Sequence, residues 1–536
     1  MSNQKERHLS MNEVKYFERA MDTFSEIKNT PGVNDFFKSI DDELRGKEIL
    51  IAEHKFCSRF LDEYIQNCPV ASLEKLFRSF SSHFDELSRD RFASHGVENL
   101  LKQAVELVNT AETSFNELLA SFVTEITPVA GTLAEDPSGS HVIRCVFSKL
   151  SILQNLTTRI DKLARKIIQT FIANPSKIRT PHFSATVQAI SSLDSERFGK
   201  LLKYLLSSVP CKFDDCCDRS SSKLIESLII NMGTPAITAV YNETLKTGVA
   251  DCAFHSIANY VVQKWLLHCK DNEQLIIVCD QLIPKVENLL ARKPQVVVAL
   301  SSGLINTNHK LQRKFYDILG KQCYNDENII DHYFTFSPPN GSKILQSLCY
   351  FEKNVNSQLI DSMMKLGGER VAEIAADLGG SYFVSDYLKS EIDIKMRLKI
   401  VRRLLPKMGH LASNNNGRFV VEAAYNISDL QLKSQICKSI VDGATRDTAK
   451  TIWRNFRIEQ FISRPEQWEK DTENIMKRSD AMDSIINDET IPDVKPLAPA
   501  VIEPTPEMEA AAEELEGVVG SLHRRKRRHH RHEGEE

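Results

Sequence analysis

The segment 255–269, HSIANYVVQKWLLHC, has the apolar spacing of a helix with one buried face. That face is interrupted by two amides and a phenol, those of Asn259, Tyr260 and Gln263. Asn259 and Gln263 are four residues apart, so their amides project from the same side of the helix, one turn apart. A helix that only packs in a core has no need for this trio, so we searched the chain for copies of it.

Copies recur along most of the chain. Each has a small residue in most cases, then two variable polar positions, two mostly apolar residues and a third polar position. We call the three polar places the first, second and third positions. Aligned on Asn259, the first positions are Ser58, Ser94, Ser140, Ser184, Ser222, Asn259, Pro294, Ser342, Ser381, Arg418 and Lys450. Their spacing runs from 32 residues (418 to 450) to 48 residues (294 to 342). A period in the high thirties predicts helical units stacked into a solenoid, with about eleven units in this chain.

The composition indicates a folded, helical protein. Hydrophobic residues make up 42% and charged residues 26% of the 536 residues. Strand-like alternation is absent, and proline and glycine separate the helical segments, as in EDPSGS (135–140) and SPPNGS (337–342). We therefore predict an all-α fold in three parts. These are an N-terminal helical cap over 1–39, a repeat solenoid over 40–465, and a disordered tail over 466–536 that is acidic and rich in Pro, Ala and Glu before it turns basic.

Charge and targeting signals bound the location of the protein. The net charge of −4 does not by itself indicate a nucleic-acid partner, although a basic groove is compatible with an acidic total. No run approaches the roughly 18 apolar residues of a membrane span. The start lacks the apolar stretch of a signal peptide. We therefore expect a protein of the cytosol or nucleus with no membrane partner.

Neither a metal site nor a catalytic motif is evident. The 12 cysteines are scattered, mostly inside apolar runs, which favours buried thiols. Two groups of residues are candidate metal ligands: Cys211 with Cys216 and Cys217, and Cys252 with His255, His268 and Cys269. Neither has the paired spacing of a zinc finger. The chain also has no glycine-rich phosphate loop, His-Glu-x-x-His motif or nucleophile elbow. We expect no metal, no cofactor and no enzymatic activity.

The repeated pattern resembles the pumilio (PUF) repeat, and IANYVVQKWL (257–266) is similar to the second helix of that repeat. The resemblance implies that the first and third positions hydrogen-bond the Watson–Crick edge of one RNA base while the second position stacks between bases. Asparagine and glutamine amides each offer a donor and an acceptor, which match the edge of uracil. Asn259, Tyr260 and Gln263 are therefore the predicted uracil-binding set.

The resemblance implies further sets at other repeats. Guanine sets are expected at Ser222, Lys223 and Glu226, at Ser94, His95 and Glu98, and at Ser58, Arg59 and Asp62. Adenine sets are expected at Ser342, Lys343 and Gln346, and at Ser184, Ala185 and Gln188. The combinations Ser140, His141 and Arg144, Ser381, Tyr382 and Ser385, and Arg418, Phe419 and Glu422 depart from common ones. The copy at Pro294 offers no base-recognising set. His141 and Arg144 are expected to face the groove, with either a base or a phosphate as the target.

Three segments resemble the nucleolar protein nine family of divergent nuclear PUF proteins. They are KYFERAMDTF (15–24), EDPSGSHVIRCVF (135–147) and TIWRNFRIEQFISRPEQW (451–468). The resemblance implies a C- or U-shaped superhelical solenoid that binds single-stranded precursor ribosomal RNA during maturation of the small subunit. It also implies a nucleolar, monomeric protein without catalysis, and pre-ribosomal proteins are further candidate partners.

A strongly basic stretch lies close to the end of the chain. The end, LHRRKRRHHRHEGEE (522–536), contains a basic cluster that is typical of a nuclear or nucleolar address or of a phosphate-binding arm. The cluster consists of Arg524, Arg525, Lys526, Arg527, Arg528 and Arg531.

Two other protein classes are alternatives to a base-recognising RNA-binding protein. One is a nuclear pumilio-like protein that binds nucleic acid with little base recognition. The other is a HEAT- or armadillo-like protein scaffold, which would have no reason to repeat amide or carboxylate pairs at one helical position.

Overall fold

The computed structural model describes residues 8–28, 30, 32–109, 114–323, 327–336 and 338–488. These residues are helical apart from short connections, and no strand occurs among them. The chain divides into two compact units, Met1–Phe456 and Arg457–Glu536. In the described part of the chain, no helix is both long enough and apolar enough to span a membrane. The predicted all-α fold class is confirmed.

The helices of the first unit follow one another through short turns. The first sixteen are α1 (Met11–Ile27), α2 (Val33–Leu44), α3 (Glu48–Glu53), α4 (Cys57–Asn67), α5 (Val70–Phe80), α6 (Phe84–Arg89), α7 (Ala93–Asn109), α8 (Ser114–Ile126), α9 (Ala130–Leu133), α10 (Gly139–Lys149), α11 (Thr157–Ala173), α12 (Pro181–Ser191), α13 (Ser195–Ser208), α14 (Phe213–Cys217), α15 (Arg219–Met232) and α16 (Thr234–Val240). The others are α17 (Lys246–Phe254), α18 (Ala258–His268), α19 (Asn272–Leu282), α20 (Val286–Arg292), α21 (Pro294–Leu304), α22 (His309–Lys321), α23 (Ile329–Phe336), α24 (Pro338–Leu348), α25 (Lys353–Lys365), α26 (Gly368–Ala376), α27 (Leu378–Lys389), α28 (Ile394–Leu404), α29 (Met408–Ser413), α30 (Gly417–Ile427), α31 (Leu430–Gly443) and α32 (Lys450–Asn455).

Helices α3 to α31 form ten three-helix units, which we number repeats 1 to 10. In repeat 4 the 3-10 turn Pro175–Arg179 takes the place of the first helix. The second helices of the repeats, here called recognition helices, are α4, α7, α10, α12, α15, α18, α21, α24, α27 and α30. Each packs against the recognition helix of the next repeat, so the ten form one continuous layer. The predicted repeat solenoid is confirmed, with ten full repeats followed by the short α32 as an eleventh.

The small residue before the first position has a steric cause. Recognition helices start against the carbonyl groups of the preceding short helix. A Cβ added at Gly380 would overlap the carbonyl oxygen of Ile374, and one added at Gly417 would lie 2.8 Å from that of Leu411. Glycine therefore permits the close approach that sets the position of the recognition helix.

The third helix of several repeats runs directly into the first helix of the next. Three of these junctions are 3-10 turns that contain Pro128, Pro284 and Pro406. Proline has no backbone N–H to donate to the preceding turn of an α-helix. It is therefore compatible with these junctions, where the α-helical hydrogen bonding is interrupted. The junction between repeats 5 and 6 is instead a π-helical turn, Tyr241–Leu245.

Buried or half-buried polar side chains on the third helices cap the recognition helices. Gln312 Nε2 donates to the carbonyl oxygen of Leu304 at 3.0 Å, and a terminal nitrogen of Arg397 donates to that of Leu388 at 2.9 Å. The Lys433 ammonium donates to the carbonyl oxygen of Tyr425, and burial lowers the pKa of Lys433 to about 8. These donors satisfy carbonyl groups that have no partner at a helix end.

The second unit contains α33 (Ile458–Ser463) and α34 (Pro465–Asp488). Trp468 is fully buried, and its ring meets Phe461 edge-on at a centroid distance of 5.0 Å. Gln460 Nε2 donates to Asp471 at 2.7 Å. The structure therefore differs from the predicted disordered segment over 466–488, since a buried indole and a proline in the first turn stabilise a helix there. Residues 489–536, with the basic cluster, lie outside the described residues.

The cysteines are all free thiols. Nine are buried, and Cys68, Cys217 and Cys323 are half-buried. Burial raises the pKa of Cys145 to about 11, which keeps its thiol protonated and unreactive at neutral pH. Within the described ranges, no group of three or more His, Cys, Asp or Glu side chains is arranged to hold a metal ion.

Candidate nucleic-acid interface

The first positions of the recognition helices are mostly buried. Less than a tenth of the residue is exposed at Ser58, Ser94, Ser140, Ser184, Ser222, Asn259, Ser342 and Ser381. The hydroxyls of Ser58, Ser140, Ser222 and Ser381 donate to the carbonyl oxygen three residues earlier. Ser184 and Ser342 donate instead to backbone carbonyls of the next repeat, those of Ser220 and Gly379. In these six repeats the first position thus joins the recognition helix to the turn before it or to the next repeat.

The structure brings the predicted uracil set together in repeat 6. Asn259 is 4% exposed, and its Nδ2 donates to the carbonyl oxygens of His255 at 2.8 Å and Ser256 at 2.9 Å. Its Oδ1 accepts from Gln263 Nε2 at 2.8 Å. Tyr260 is 55% exposed and Gln263 is half-buried. Asn259 therefore orients the Gln263 amide, whose remaining donor and oxygen lie at the surface.

The two predicted adenine sets have the same pairing along the helix. Gln188 Nε2 donates to Ser184 Oγ at 3.1 Å, and Gln346 Nε2 donates to Ser342 Oγ at 3.2 Å. Gln188 is half-buried, whereas Gln346 is only 8% exposed. The first and third positions of these repeats are therefore joined before any ligand is present.

The second positions are the exposed ones. Arg59, His95, His141, Lys223, Tyr260, Lys343, Tyr382 and Phe419 are all exposed. The guanidinium carbon of Arg418 lies 4.8 Å from the centroid of the Phe419 ring. Exposed rings and cations on one layer of helices are suited to stacking on bases and pairing with phosphates.

The four third-position carboxylates, those of Asp62, Glu98, Glu226 and Glu422, are half-buried, and burial raises the pKa of two of them. Burial raises the pKa of Glu226 to about 7, although the positive charges of Lys264 and Lys223 act in the opposite direction. Burial also raises the pKa of Asp62, partly offset by a hydrogen bond from Asn99. These two carboxylates titrate closer to neutral pH than ordinary surface carboxylates.

Repeat 3 presents cations at its second and third positions. His141 is exposed and Arg144 is half-buried, with Arg144 Nε donating to the carbonyl oxygen of Ser140 at 3.2 Å. Burial and the nearby Arg144 charge lower the pKa of His141. Arg144 therefore carries the fixed charge of this repeat.

Repeats 7 and 9 carry the weakest predicted sets. In repeat 7, Pro294, Gln295 and Val298 occupy the three positions, and Val298 offers no polar group. In repeat 9 the Ser385 hydroxyl is buried and has no hydrogen-bond partner, while Tyr382 is exposed. Repeat 9 thus has a stacking residue without an accessible third position.

Two asparagines beside the predicted sets were not identified from the sequence. Asn99 Nδ2 donates to Asp62 Oδ1 at 3.0 Å, and Asn455 Nδ2 donates to Glu422 Oε1 at 3.3 Å. Each asparagine comes one residue after the third position of the following repeat. An amide at that place after a carboxylate-bearing repeat is the sequence signal that indicates the contact.

Comparison with known proteins defines the family. The model of the NOP9-like PUF repeat domain matches residues 46–158 and 151–446. The chain therefore belongs to the family of NOP9-like PUF repeat domains, which confirms the resemblance to pumilio repeats and to the nucleolar protein nine family.

Individual relatives are distant but extend over most of the chain. Pumilio homolog 23 of Arabidopsis thaliana is 23% identical over 516 residues, covering 80% of this chain and 68% of the relative. Nucleolar protein 9 of Zygosaccharomyces rouxii is 22% identical over 608 residues, covering 92% and 89%. Solved structures of APUM23 with GGAUUUGACGG and with GGAAUUGACGG each superpose with a TM-score of 0.74 at 20% identity, covering 87% of this chain and all of the other. This likeness establishes the fold.

Proposed function

We propose that the chain is a single-stranded RNA-binding protein of ribosome biogenesis that works in the nucleolus without catalysis. The observation that carries the proposal is the continuous layer of recognition helices with mostly exposed second positions and mostly polar third positions. Membership of the NOP9-like family and relatives named Nucleolar protein 9 support the location and the role. Precursor ribosomal RNA of the small subunit is the proposed target.

The order of the sets favours one direction for the RNA. APUM23 is solved with sequences of eleven bases, and this chain has eleven aligned positions. If repeat 1 faces the last base of GGAAUUGACGG, Gln263 of repeat 6 faces uracil, Glu226 of repeat 5 faces guanine and Gln188 of repeat 4 faces adenine. All three pairings agree with the donor and acceptor patterns of these side chains.

The opposite direction is disfavoured by Glu226. Repeat 5 would then face the fifth base, a uracil, whose edge offers two carbonyl oxygens around one N–H. A carboxylate is an acceptor only, so it would repel those oxygens. We therefore propose that the 3′ end of the RNA lies at repeat 1.

The same direction assigns a base to repeat 3. The ninth base is cytosine, whose edge carries two acceptors, and the Arg144 guanidinium provides several donors in a planar fork. Glu98 of repeat 2 and Asp62 of repeat 1 face the last two guanines. Val298 of repeat 7 faces a uracil that it does not hydrogen-bond, so tolerance of other bases is expected there.

Binding of the full chain to a randomised RNA pool tests the proposal. Enrichment of a GGANNUGACGG-like motif at two salt concentrations is the expected result, because the two APUM23 sequences differ at the fourth base and Val298 faces the fifth. Gln263→Ala should lose the uracil preference at the sixth base. Gln281→Ala is the matched control, since Gln281 Nε2 donates to the carbonyl oxygen of Lys246 on the third-helix side. Retention without enrichment, falling steeply with salt, would favour phosphate contacts alone. Absence of retention would favour a protein-binding scaffold.

The basic cluster at 524–531 is proposed as the nucleolar address or as an additional phosphate contact. A full chain with these cations replaced by alanine is expected to lose nucleolar accumulation in cells while keeping its base preferences in vitro. Unchanged accumulation together with weaker RNA binding would assign the cluster to phosphate contact instead.

A further inference from the structure

Two third-position carboxylates receive a hydrogen bond from the next repeat. Asn99 Nδ2 lies 3.0 Å from Asp62 Oδ1, and Asn455 Nδ2 lies 3.3 Å from Glu422 Oε1. Both asparagines occupy the place one residue after the third position of their own helix, which we name the support position. The recognition helices α4 to α30 pack each on the next, and the Asn455 hydrogen bond extends the pattern to α32, so we assign each support position to the third position of the preceding repeat.

The residue type at the support position follows the chemistry of the preceding repeat. The support positions that face repeats 1 to 10 are Asn99, Cys145, Ala189, Ser227, Lys264, Ala299, Ser347, Asp386, Ala423 and Asn455. Asparagine or lysine occurs at three of them, beside Asp62, Glu226 and Glu422. Alanine, serine or aspartate faces each third position that has no carboxylate.

Repeat 2 has a different arrangement with the same result. The support residue facing Glu98 is Cys145. Its Sγ lies 4.0 Å from the backbone oxygen of Glu98, so this contact is to the backbone and not to the carboxylate. Lys102, one turn further along the same helix, places its ammonium 3.6 Å from Glu98 Oε2. Each of the four third-position carboxylates therefore has a nearby donor or cation.

A guanine-binding carboxylate needs such a partner. The guanine edge presents two N–H donors, so the side chain must offer two acceptor oxygens and must be ionised. Half-burial works against ionisation and raises the pKa of Asp62, while the hydrogen bond from Asn99 lowers it. The same hydrogen bond also restricts rotation of the carboxylate.

We propose that Asn99 and Asn455 are positioning residues that orient Asp62 and Glu422 for guanine, that Asn99 also favours the ionised form of Asp62, and that Lys264 favours the ionised form of Glu226. The inference rests on the proposed function, because it concerns how RNA bases are distinguished. Guanine preference at a repeat is then determined by two neighbouring repeats and not by one.

The charged surroundings of Asp62 make it the best test site. His95 and Lys102 on α7 and Glu63 on its own helix are the charged groups that act on it. Lys102 also donates to Asn99 Oδ1 at 3.5 Å, so replacing Asn99 removes this contact along with the hydrogen bond to Asp62. The preference at the base that faces Asp62 therefore reports the loss of both Asn99 contacts.

The experiment measures affinity of the full chain for GGAAUUGACGG and for versions with adenine at the first or the last base, at about pH 6 and about pH 8.5. These two bases are the ones that repeat 1 faces in either direction. Asn99→Ala is expected to lose roughly tenfold of the guanine preference, with the larger loss at the lower pH. With RNAs that carry adenine at the second or the tenth base, which repeat 10 faces in either direction, Asn455→Ala is expected to lose guanine preference through the lost orientation of Glu422.

Two further variants separate positioning from folding. Asn99→Lys gives the support position of repeat 2 the residue type found at Lys264 in repeat 6. Compared with Asn99→Ala, it should restore the guanine preference at the base that faces repeat 1. Asn155→Ala is the matched control, because Asn155 Nδ2 donates to Asn116 Oδ1 at 3.0 Å away from the recognition helices. That control should behave like the unaltered chain.

A wild-type guanine preference that Asn99→Ala retains at both pH values would overturn the positioning role and leave the proposed function standing. Equal loss of affinity for guanine and adenine forms at both pH values would also overturn it, since that is the result of a purely structural contact. An unaltered chain that binds none of these RNAs would overturn the proposed function and the positioning role together.

Discussion

Asn259 donates its amide to the carbonyl oxygen of His255 at 2.8 Å, so the residue at the centre of the predicted uracil set also holds the turn before its own helix. The sequence alone indicated a group that hydrogen-bonds an RNA base. The buried amide in the structure shows that recognition and folding are coupled at this residue.

Asn259→Ala is therefore expected to lower the free energy of unfolding by about 1–3 kcal/mol, because two carbonyl oxygens lose their donor. Gln263→Ala should cost less than about 1 kcal/mol, since Gln263 is half-buried and makes one of these bonds. Urea denaturation of both variants measures the difference. Equal costs would show that the Asn259 hydrogen bonds contribute no more than the Gln263 contact.

Glu226 should make guanine binding at repeat 5 depend on pH. Its pKa of about 7 in the free protein means that it is mostly ionised at pH 8 and mostly protonated at pH 6. Guanine donors favour the ionised form, so affinity for RNA with guanine at the seventh base should fall as pH drops through 7, by at most about tenfold per pH unit. Glu226→Gln should remove this dependence, and a persistent dependence would assign it to another group.

Repeats 5 and 8 offer a test of base specificity within one chain. Repeat 5 has Ser222, Lys223 and Glu226, whereas repeat 8 has Ser, Lys and Gln at the same positions. Glu226→Gln makes the two sets identical, and it should shift the preference at the seventh base from guanine towards adenine. The shift should be about 1–3 kcal/mol, the range for one base contact. Competition between the two RNAs measures it, and an unchanged ratio would mean that repeat 5 does not contact that base.

The glycines at the start of recognition helices should be essential for stability. Gly380→Ala is expected to destabilise the fold by about 1–3 kcal/mol, because the added Cβ overlaps the Ile374 carbonyl oxygen. Gly320→Ala is the control, since a Cβ there meets no atom within 4 Å and the helix should gain about 0.5–1 kcal/mol. Thermal unfolding of both variants distinguishes the two cases. Similar melting temperatures would show that the recognition helix can move away from the preceding helix at little cost.

The repeat architecture could be predicted from the sequence because the pattern is local. Small residue, polar pair, apolar pair and polar residue recur within single helices, and the helical period fixes which side chains share a face. The repeat positions from Ser58 to Arg418 therefore fall on recognition helices in the structure, and Lys450 begins α32. The helix α34 was missed because its stability depends on the burial of Trp468 and not on its own polar composition.

The sequence by itself determined that this chain is a helical repeat protein with an amide, phenol and amide trio at Asn259, Tyr260 and Gln263. Only the tertiary structure decided which of these side chains are accessible, because accessibility depends on what the neighbouring repeat covers. It also decided that Asn99 bonds to Asp62 across two repeats, since residues 37 positions apart meet only when their helices stack. Side-chain periodicity is a property of one helix. The burial of a side chain, its pKa and the hydrogen bond that a carboxylate receives depend on two neighbouring helices packed together.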